Sequence, residues 1–313
     1  MECVLTEDPL LSADNLSIAV KGEKIIHSLS LDVGRGMITA LIGESGAGKT
    51  MLLKAIMGIL PGSAEISHGS ILYSSKDILR LSRRDRERLR GCEIAMVPQN
   101  PISSFNPVYR ISHHFRLLSK KGSEDYMDSI YGMLGELSVP DAGRVMDSYP
   151  HELSGGTLQR LSFAAALSLN PRLLLLDEPM SALDATAGSL LLDYIIRYRE
   201  SHDITVLMVT HDLGWAADAD DVAVMHSGAI VERAEAYEFF RNPCHPYSIR
   251  LLEASRHGSY SYGSSEKSSE GFCPFYYECE YNTIECKELL PEMHMCSPQH
   301  YVSCHNSVDK NCN

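Results

Sequence analysis

Apolar positions along this chain switch repeatedly between a period of two and a period near 3.6, so strands and helices are expected to alternate. Residues 15–20 and 28–33 read as half-buried strands, and 37–42 as a buried strand running into a glycine-rich segment. Leu52, Leu53, Ile56, Met57 and Leu60 then fall on one stripe, predicting a helix over 50–60 that stops at Pro61-Gly62. Weaker helical patterns over 100–149 predict a separate helical lobe. A further helix is expected over 154–169, followed by strands at 173–176 and 205–209. Residues 222–225 and 229–232 flank His226-Ser227-Gly228, a hairpin turn. The alternation predicts an α/β fold with a parallel core sheet. No internal repeat is found, so a single cassette is expected.

Composition narrows the setting. The formal charge is 28 − 41 = −13, which argues against a nucleic-acid surface as the main business. Arg80, Arg83, Arg84, Arg86, Arg88 and Arg90 alternate with Asp85 and Glu87 and allow two readings, a nucleic-acid patch or a solvated helix face with internal ion pairs. The second is preferred. No apolar run approaches the roughly 18–20 residues that span a bilayer. The start, Met1-Glu2-Cys3 with Glu7 and Asp8, lacks the basic-then-apolar pattern of a signal peptide, so a cytoplasmic chain is expected.

Nine cysteines are present. Cys3, Cys92 and Cys244 are scattered, while Cys273, Cys279, Cys286, Cys296, Cys304 and Cys312 crowd the end of the chain. In a reducing compartment such a cluster points to metal before disulfides. The cluster follows a Ser/Gly-rich stretch over 255–270, read as a linker. The expected organisation is therefore a cassette over 1–254, the linker, and a Cys-rich extension over 271–313, too small to hold a core without a staple.

Several segments carry chemistry. Gly43-Glu44-Ser45-Gly46-Ala47-Gly48-Lys49-Thr50 satisfies the eight-residue phosphate-loop pattern between a predicted strand and a predicted helix. Its backbone N–H groups would cradle phosphates, Lys49 would reach the β- and γ-phosphates, and the Thr50 hydroxyl would bind Mg²⁺. Asp177 ends a run of four leucines, where a strand-end carboxylate can hold Mg²⁺ through water, and Glu178 could orient or deprotonate an attacking water. A strand-end acid capping the loop before Pro179 is the plainer alternative. Gln99 follows a strand at 93–97 and offers an amide oxygen to Mg²⁺ or water, and His211 follows another strand and can meet the γ-phosphate. Each could instead be an ordinary satisfied polar residue. Ser154 suits a helix N-cap, with Gly155 and Gly156 exposing the first N–H groups. Since the chain already has one phosphate loop, this second anion site is read as serving the nucleotide of a partner subunit, with Asp184 at the same interface.

Taken together these motifs resemble the ATP-binding subunits of ABC transporters, over about residues 10–253. Gln99-Asn100-Pro101-Ile102-Ser103-Ser104-Phe105-Asn106-Pro107-Val108, Tyr149-Pro150-His151-Glu152 and His245-Pro246-Tyr247 with Leu251-Leu252 are similar to the dipeptide, oligopeptide and nickel importers. The resemblance implies a P-loop cassette with an antiparallel β subdomain and a helical subdomain. It implies ATP and Mg²⁺ as cofactors and ATP hydrolysis driving uptake of di- or oligopeptides, with nickel or a metal chelate as the next substrate class. It implies attachment to the cytoplasmic face of the membrane through two permease subunits, a second ATPase subunit forming a heterodimer, and a solute-binding protein acting indirectly. A soluble ABC ATPase acting on ribosomes or DNA is the remote alternative.

The chain departs from the family pattern at Thr157, at Ile18-Ala19-Val20-Lys21 where an adenine-stacking aromatic is expected, and at Tyr277-Glu278 where Pro-Arg is common. The tail resembles the branch's C-terminal extension, in which Cys273, Cys279, Cys286 and Cys304-His305 match positions that hold a [4Fe–4S] cluster in some members. Zinc and metal-free thiols are the other readings, and Cys296, Cys312, His294 and His300 are alternative ligands or surface residues.

Overall fold

The computed structural model describes residues 8–119, 124–257 and 272–307. The chain divides into two compact units, one of residues 1–80 with 209–313 and one of residues 81–208.

In the first unit, β1 (Pro9–Val20) and β2 (Glu23–Gly34) pair antiparallel, their register broken by bulges near Asn15 and Ser28, both with φ near +47°. The fully buried β3 (Ile38–Ile42) leads into the phosphate loop and α1 (Lys49–Met57). Next come β4 (Ala64–Tyr73), antiparallel to β1, and the two-residue β5 (Lys76–Asp77), completing a four-stranded sheet in the order β2-β1-β4-β5. The helix predicted over 50–60 ends earlier than Pro61. Gly58 takes φ +63°, its N–H bonds Ala55 O, and Ile59 N–H bonds Lys54 O, so a glycine C-cap stops the helix and leaves Ile59 47% exposed.

The second unit opens with α2 (Arg83–Cys92), the arginine-rich segment. Ser82 caps it through Asp85 N, and Arg83 pairs with Glu87 at 2.9 Å, an exposed i,i+4 pair that suits a solvated face. Then come β6 (Ile94–Val97), α3 (Ile111–Leu118), α4 (Glu124–Glu136), α5 (Ala142–Asp147) and α6 (Gly155–Leu167). Among the described residues, the predicted helical lobe holds a 3-10 turn at Pro101–Ser104 and the α-helices α3, α4 and α5. Strand β7 (Leu173–Asp177), buried at every position, runs parallel to β6, with Leu176 opposite Val97. A strand of four leucines needs cover on both faces, which a parallel sheet provides. Helix α7 (Ala185–His202) leads to β8 (Thr205–Thr210), beside β7 in the sheet.

Returning to the first unit, α8 (Leu213–Ala217) precedes β9 (Asp221–His226) and β10 (Ala229–Glu235). Strand β9 runs parallel to β3 and antiparallel to β10. His226, predicted in the turn, is instead the last residue of β9 and pairs with Ala229. The turn is therefore the two residues Ser227 and Gly228, whose φ of +45° and +83° are the two positive values such a hairpin demands. A Cβ on Gly228 would stand 2.3 Å from Ile25 O, so the turn also needs glycine for contact. Helices α9 (Ala236–Arg241) and α10 (Pro246–His257) follow. Because α10 continues to His257, residues 255–257 of the predicted linker are helical. Residues 258–270 lie outside the described residues. The extension adds α11 (Ile284–Glu288), β11 (Met293–Ser297) and β12 (His300–Ser303). Strand β12 pairs antiparallel with β10, Val302 opposite Glu232, so the sheet of this unit reads β11-β12-β10-β9-β3.

Candidate active site

The residues singled out for chemistry fall in both units, and each unit holds its share in a defined local arrangement. In the first, the phosphate loop is shaped by close backbone packing. Gly43 has φ +149°, and a Cβ there would lie 2.0 Å from Met225 O at the end of β9, so only glycine fits. Ala47 O accepts from Gly228 N at 3.0 Å, which pins the loop to the β9–β10 turn. Lys49 is 5% exposed, and its ammonium donates to Gly43 O and Glu44 O, both at 2.7 Å. Helix α1 carries no acid in its first turn and no side-chain cap, so its N–H groups and dipole favour an anion. Thr50 is the second residue of that helix.

Tyr247 supports the loop from below. Its hydroxyl accepts from Glu44 N at 3.0 Å. Burial raises the Glu44 carboxyl above its ordinary pKa and Glu278 adds to the rise, against Arg250 and Lys49. His211 lies exposed just beyond β8, where Asp212 caps α8 through Gly214 N and Trp215 N.

In the second unit Asp177 is buried at the end of β7, and Glu178 turns away with φ +47°, an uncommon conformation for a residue with a side chain. The amide nitrogen of Gln99 donates to Glu178 Oε2 at 2.7 Å, and Ser181 Oγ donates to Gln99 O at 3.0 Å. The structure therefore brings Gln99 and Glu178 together, with the amide oxygen of Gln99 as the atom suited to a metal. Ser154 caps α6, accepting from Thr157 N at 3.2 Å, while its hydroxyl also meets Thr157 Oγ1 at 2.9 Å. The unusual threonine thus completes the cap. A Cβ on Gly156 would touch Leu183 Cδ2 at 3.3 Å, and Asp184 caps α7 through Ala187 N at 2.8 Å. Gly155 and Gly156 thus lie against Ala182 and Leu183, the residues just before Asp184, with Ser154 and Gly155 exposed.

The extension brings four predicted thiols together. Cys273, Cys286 and Cys304 are buried, and Cys273 N bonds Cys286 O at 2.9 Å. Burial pushes the Cys304 thiol up to about 12, with Cys273, Cys279 and Cys286 each adding to the rise, and Cys273 up to about 11 for the same reasons. Glu278, at the departure from the usual pair, forms a 2.7 Å salt bridge with Arg250 of α10. Among the described residues, no helix is long and apolar enough to cross a membrane. Cys312 lies outside the described residues. Two contributors escaped sequence reasoning: Tyr247, noted there only as part of a motif, and Glu232, a buried acid that nothing local marks.

These parts, a phosphate loop, a strand-end acid followed by Glu178, and a serine-capped helix of the Leu-Ser-Gly-Gly type, define an ATP-binding cassette. The ABC transporter family matches residues 26–181. The chain is 34% identical to the oligopeptide transport ATP-binding protein OppD of Lactococcus lactis subsp. cremoris (strain SK11), over 80% of this chain and 77% of that protein. It is 32% identical to the dipeptide transport ATP-binding protein DppD of Bacillus subtilis (strain 168), over 95% and 94%. Among solved structures, cbiO1 of Clostridium perfringens, part of the ABC transporter complex cbiONQ, superposes with a TM-score of 0.65 at 27% identity, covering 80% of this chain and 98% of that one. An ATP binding subunit of an ABC transporter gives 0.64 at 25%, covering 74% and 92%. The chain belongs to the ABC transporter family of ATP-binding subunits, within its dipeptide and oligopeptide branch. It is an ATPase.

Proposed function

We propose that this chain is the ATP-hydrolysing subunit of an importer for di- or oligopeptides. It works on the cytoplasmic face of the membrane with a second ATPase subunit and two integral-membrane permeases, which a solute-binding protein supplies with substrate. The observation that carries this reading is the extent of the likeness to the Bacillus subtilis dipeptide transport ATP-binding protein, which takes in the extension as well as the cassette.

The residues act as follows. Gly43 to Thr50 wrap the phosphates with backbone N–H groups, and Lys49 neutralises the β- and γ-phosphates. Thr50, Gln99 and Asp177 would hold Mg²⁺, which supplies charge neutralisation at the phosphates when bound. Glu178 orients the attacking water and accepts its proton, and its hydrogen bond to Gln99 fixes the direction in which the carboxylate points. His211 contacts the γ-phosphate. Ser154, Gly155, Gly156 and Asp184 face the nucleotide of the partner ATPase, so hydrolysis requires the pair to close.

In the extension, Cys273, Cys279, Cys286 and Cys304 suit a [4Fe–4S] cluster, with Zn²⁺ as the alternative. Burial holds the Cys273, Cys279 and Cys304 thiols neutral, so they ionise favourably only against a cationic centre. The group would supply a cross-link within a segment too small to hold a core of its own.

The test is reconstitution with the permeases in proteoliposomes. ATP-dependent uptake of labelled di- and oligopeptides is the expected result. Uptake of nickel without peptide transport would transfer the reading to a metal importer, and ribosome binding without permease association would remove the transport reading.

A further inference from the structure

A second sulfur site lies apart from the four cysteines just described. Cys244, one of the scattered cysteines, precedes α10, whereas Cys296 and His300 stand on the β11–β12 hairpin. Their ligand atoms all lie within 4.8 Å of one another. The two sulfurs are 3.2 Å apart, and Cys244 Sγ is 4.0 Å from His300 Nδ1. A tetrahedral zinc with bonds of about 2.3 Å to sulfur and about 2.0 Å to nitrogen sets its ligand atoms about 3.5–3.8 Å apart. The observed spacings straddle that range, so small side-chain shifts would close the site around one ion.

The surroundings point the same way. Opposite Tyr301 and His300 the register passes from Met295 to Ser297, so Cys296 is the extra residue of a β-bulge, the device by which a strand re-aims one side chain. Behind the imidazole, His300 Nε2 donates to Glu232 Oε1 at 2.7 Å, both side chains being buried. That bond leaves Nδ1 as the ligating nitrogen of the neutral ring. The same carboxylate accepts from Cys244 N at 2.7 Å and His245 N at 2.8 Å, so one buried group orients two of the three ligands. A carboxylate holding the far nitrogen of a histidine is the usual outer partner of a zinc-bound imidazole.

We propose that Cys244, Cys296 and His300 bind a single divalent ion of the zinc class, with Glu232 as the positioning residue behind His300. Two thiolates and an imidazole select a borderline-soft ion over magnesium or calcium. Binding releases the two thiol protons, and three protein ligands leave the fourth tetrahedral position to water or an outside donor on the half-buried Cys296 side. The ion would staple the β11–β12 hairpin to β10 and to the segment entering α10, three residues before Tyr247, whose hydroxyl holds the phosphate loop. Val302 and Cys304 pack against the same sulfurs, so the site adjoins the four-cysteine group without sharing a ligand with it.

The probe is cobalt(II), added to the full chain after anaerobic removal of bound metal by chelation. One equivalent is expected to give the sulfur-to-cobalt charge-transfer band and visible bands of a tetrahedral thiolate site, displaced by zinc. Cys296→Ser and Cys244→Ser should lose that signal, while Cys279→Ser keeps it. In the unaltered chain, zinc should slow alkylation of Cys296 at least tenfold, read by peptide mass spectrometry, which covers the case of a variant that fails to fold. The proposal is overturned if the signal survives Cys296→Ser and vanishes in Cys279→Ser, or if zinc leaves the alkylation of Cys296 unchanged. Recovery of Cys244 and Cys296 as a disulfide from anaerobic protein would overturn it equally.

Discussion

Tyr247 and Glu44 are 203 residues apart in sequence, yet the Tyr247 hydroxyl accepts the backbone N–H of Glu44 at 3.0 Å. The Tyr247 ring is 1% exposed and lies 4.3 Å from the His226 ring and 5.5 Å from the Phe275 ring. One residue of α10 thus touches the phosphate loop, the end of β9 and the extension.

Tyr247→Phe keeps the ring packing and removes that hydrogen-bond acceptor. A net loss of about 1 kcal/mol is expected from a bond of this kind, which corresponds to roughly a fivefold weaker hold on ATP if the loop must be ordered before phosphates bind. Calorimetric titration with nucleotide would register it, with the thermal midpoint lowered by only a few degrees. Unaltered affinity would mean that the loop keeps its shape without Tyr247.

Acid should destabilise the first unit through His226. Burial pushes this imidazole down to about 4; the Glu278 charge and a hydrogen bond to the Pro274 carbonyl oppose the fall, and Arg250 adds to it. The unfolded chain takes up a proton near pH 6.5, which the folded ring refuses until about pH 4. Stability from this group is therefore fully present above about pH 6.5 and is lost as pH falls towards 4, by up to about 3 kcal/mol. His245, pushed down to about 3, acts with the same sign. Thermal midpoints measured from pH 7.5 to 5 should fall, and less steeply in His226→Gln. Parallel curves for the two proteins would rule out His226 as a source of the slope.

Glu178→Gln preserves a partner for the Gln99 amide, since a carboxamide oxygen also accepts a hydrogen bond, but it cannot take a proton from water. ATP binding should persist while turnover in the assembled transporter drops by about 10²–10⁴-fold, the range for losing a general base. Turnover within a few-fold of the parent would take Glu178 out of the reaction.

What could be read in advance was local. The phosphate loop, the leucine strand before Asp177, the Ser154 cap and the Ser227-Gly228 turn each depend on a few adjacent residues whose backbone demands are visible in their types. The end of α1 was misplaced because Gly58 competes with the more conspicuous Pro61. Strand β4 escaped because His68-Gly69-Ser70 interrupts its alternation and much of it is exposed. Cys244 looked isolated because its partners arrive through the pairing of β12 with β10, a long-range fact that no window of sequence contains. The same holds for Glu232, whose three hydrogen bonds come from residues 12 to 68 positions away.

Phe275 anchors the extension on the cassette through apolar and ring contacts. It is 3% exposed, with its ring 5.4 Å from His226 and 5.9 Å from His245, and with the Arg250 guanidinium 5.7 Å from its centre. Phe275→Ala should cost about 3–5 kcal/mol of stability, as truncation of a buried aromatic does, seen as a lower denaturation midpoint. Water entering beside His226 would also relieve its desolvation, so the imidazole should titrate closer to 6.5 and the acid loss of stability should shrink. Histidine NMR titration of the folded variant reads that shift directly. If the midpoint drops while His226 still titrates near 4, the ring contributes packing alone, and the dry environment of the histidine comes from β9 and α10 instead.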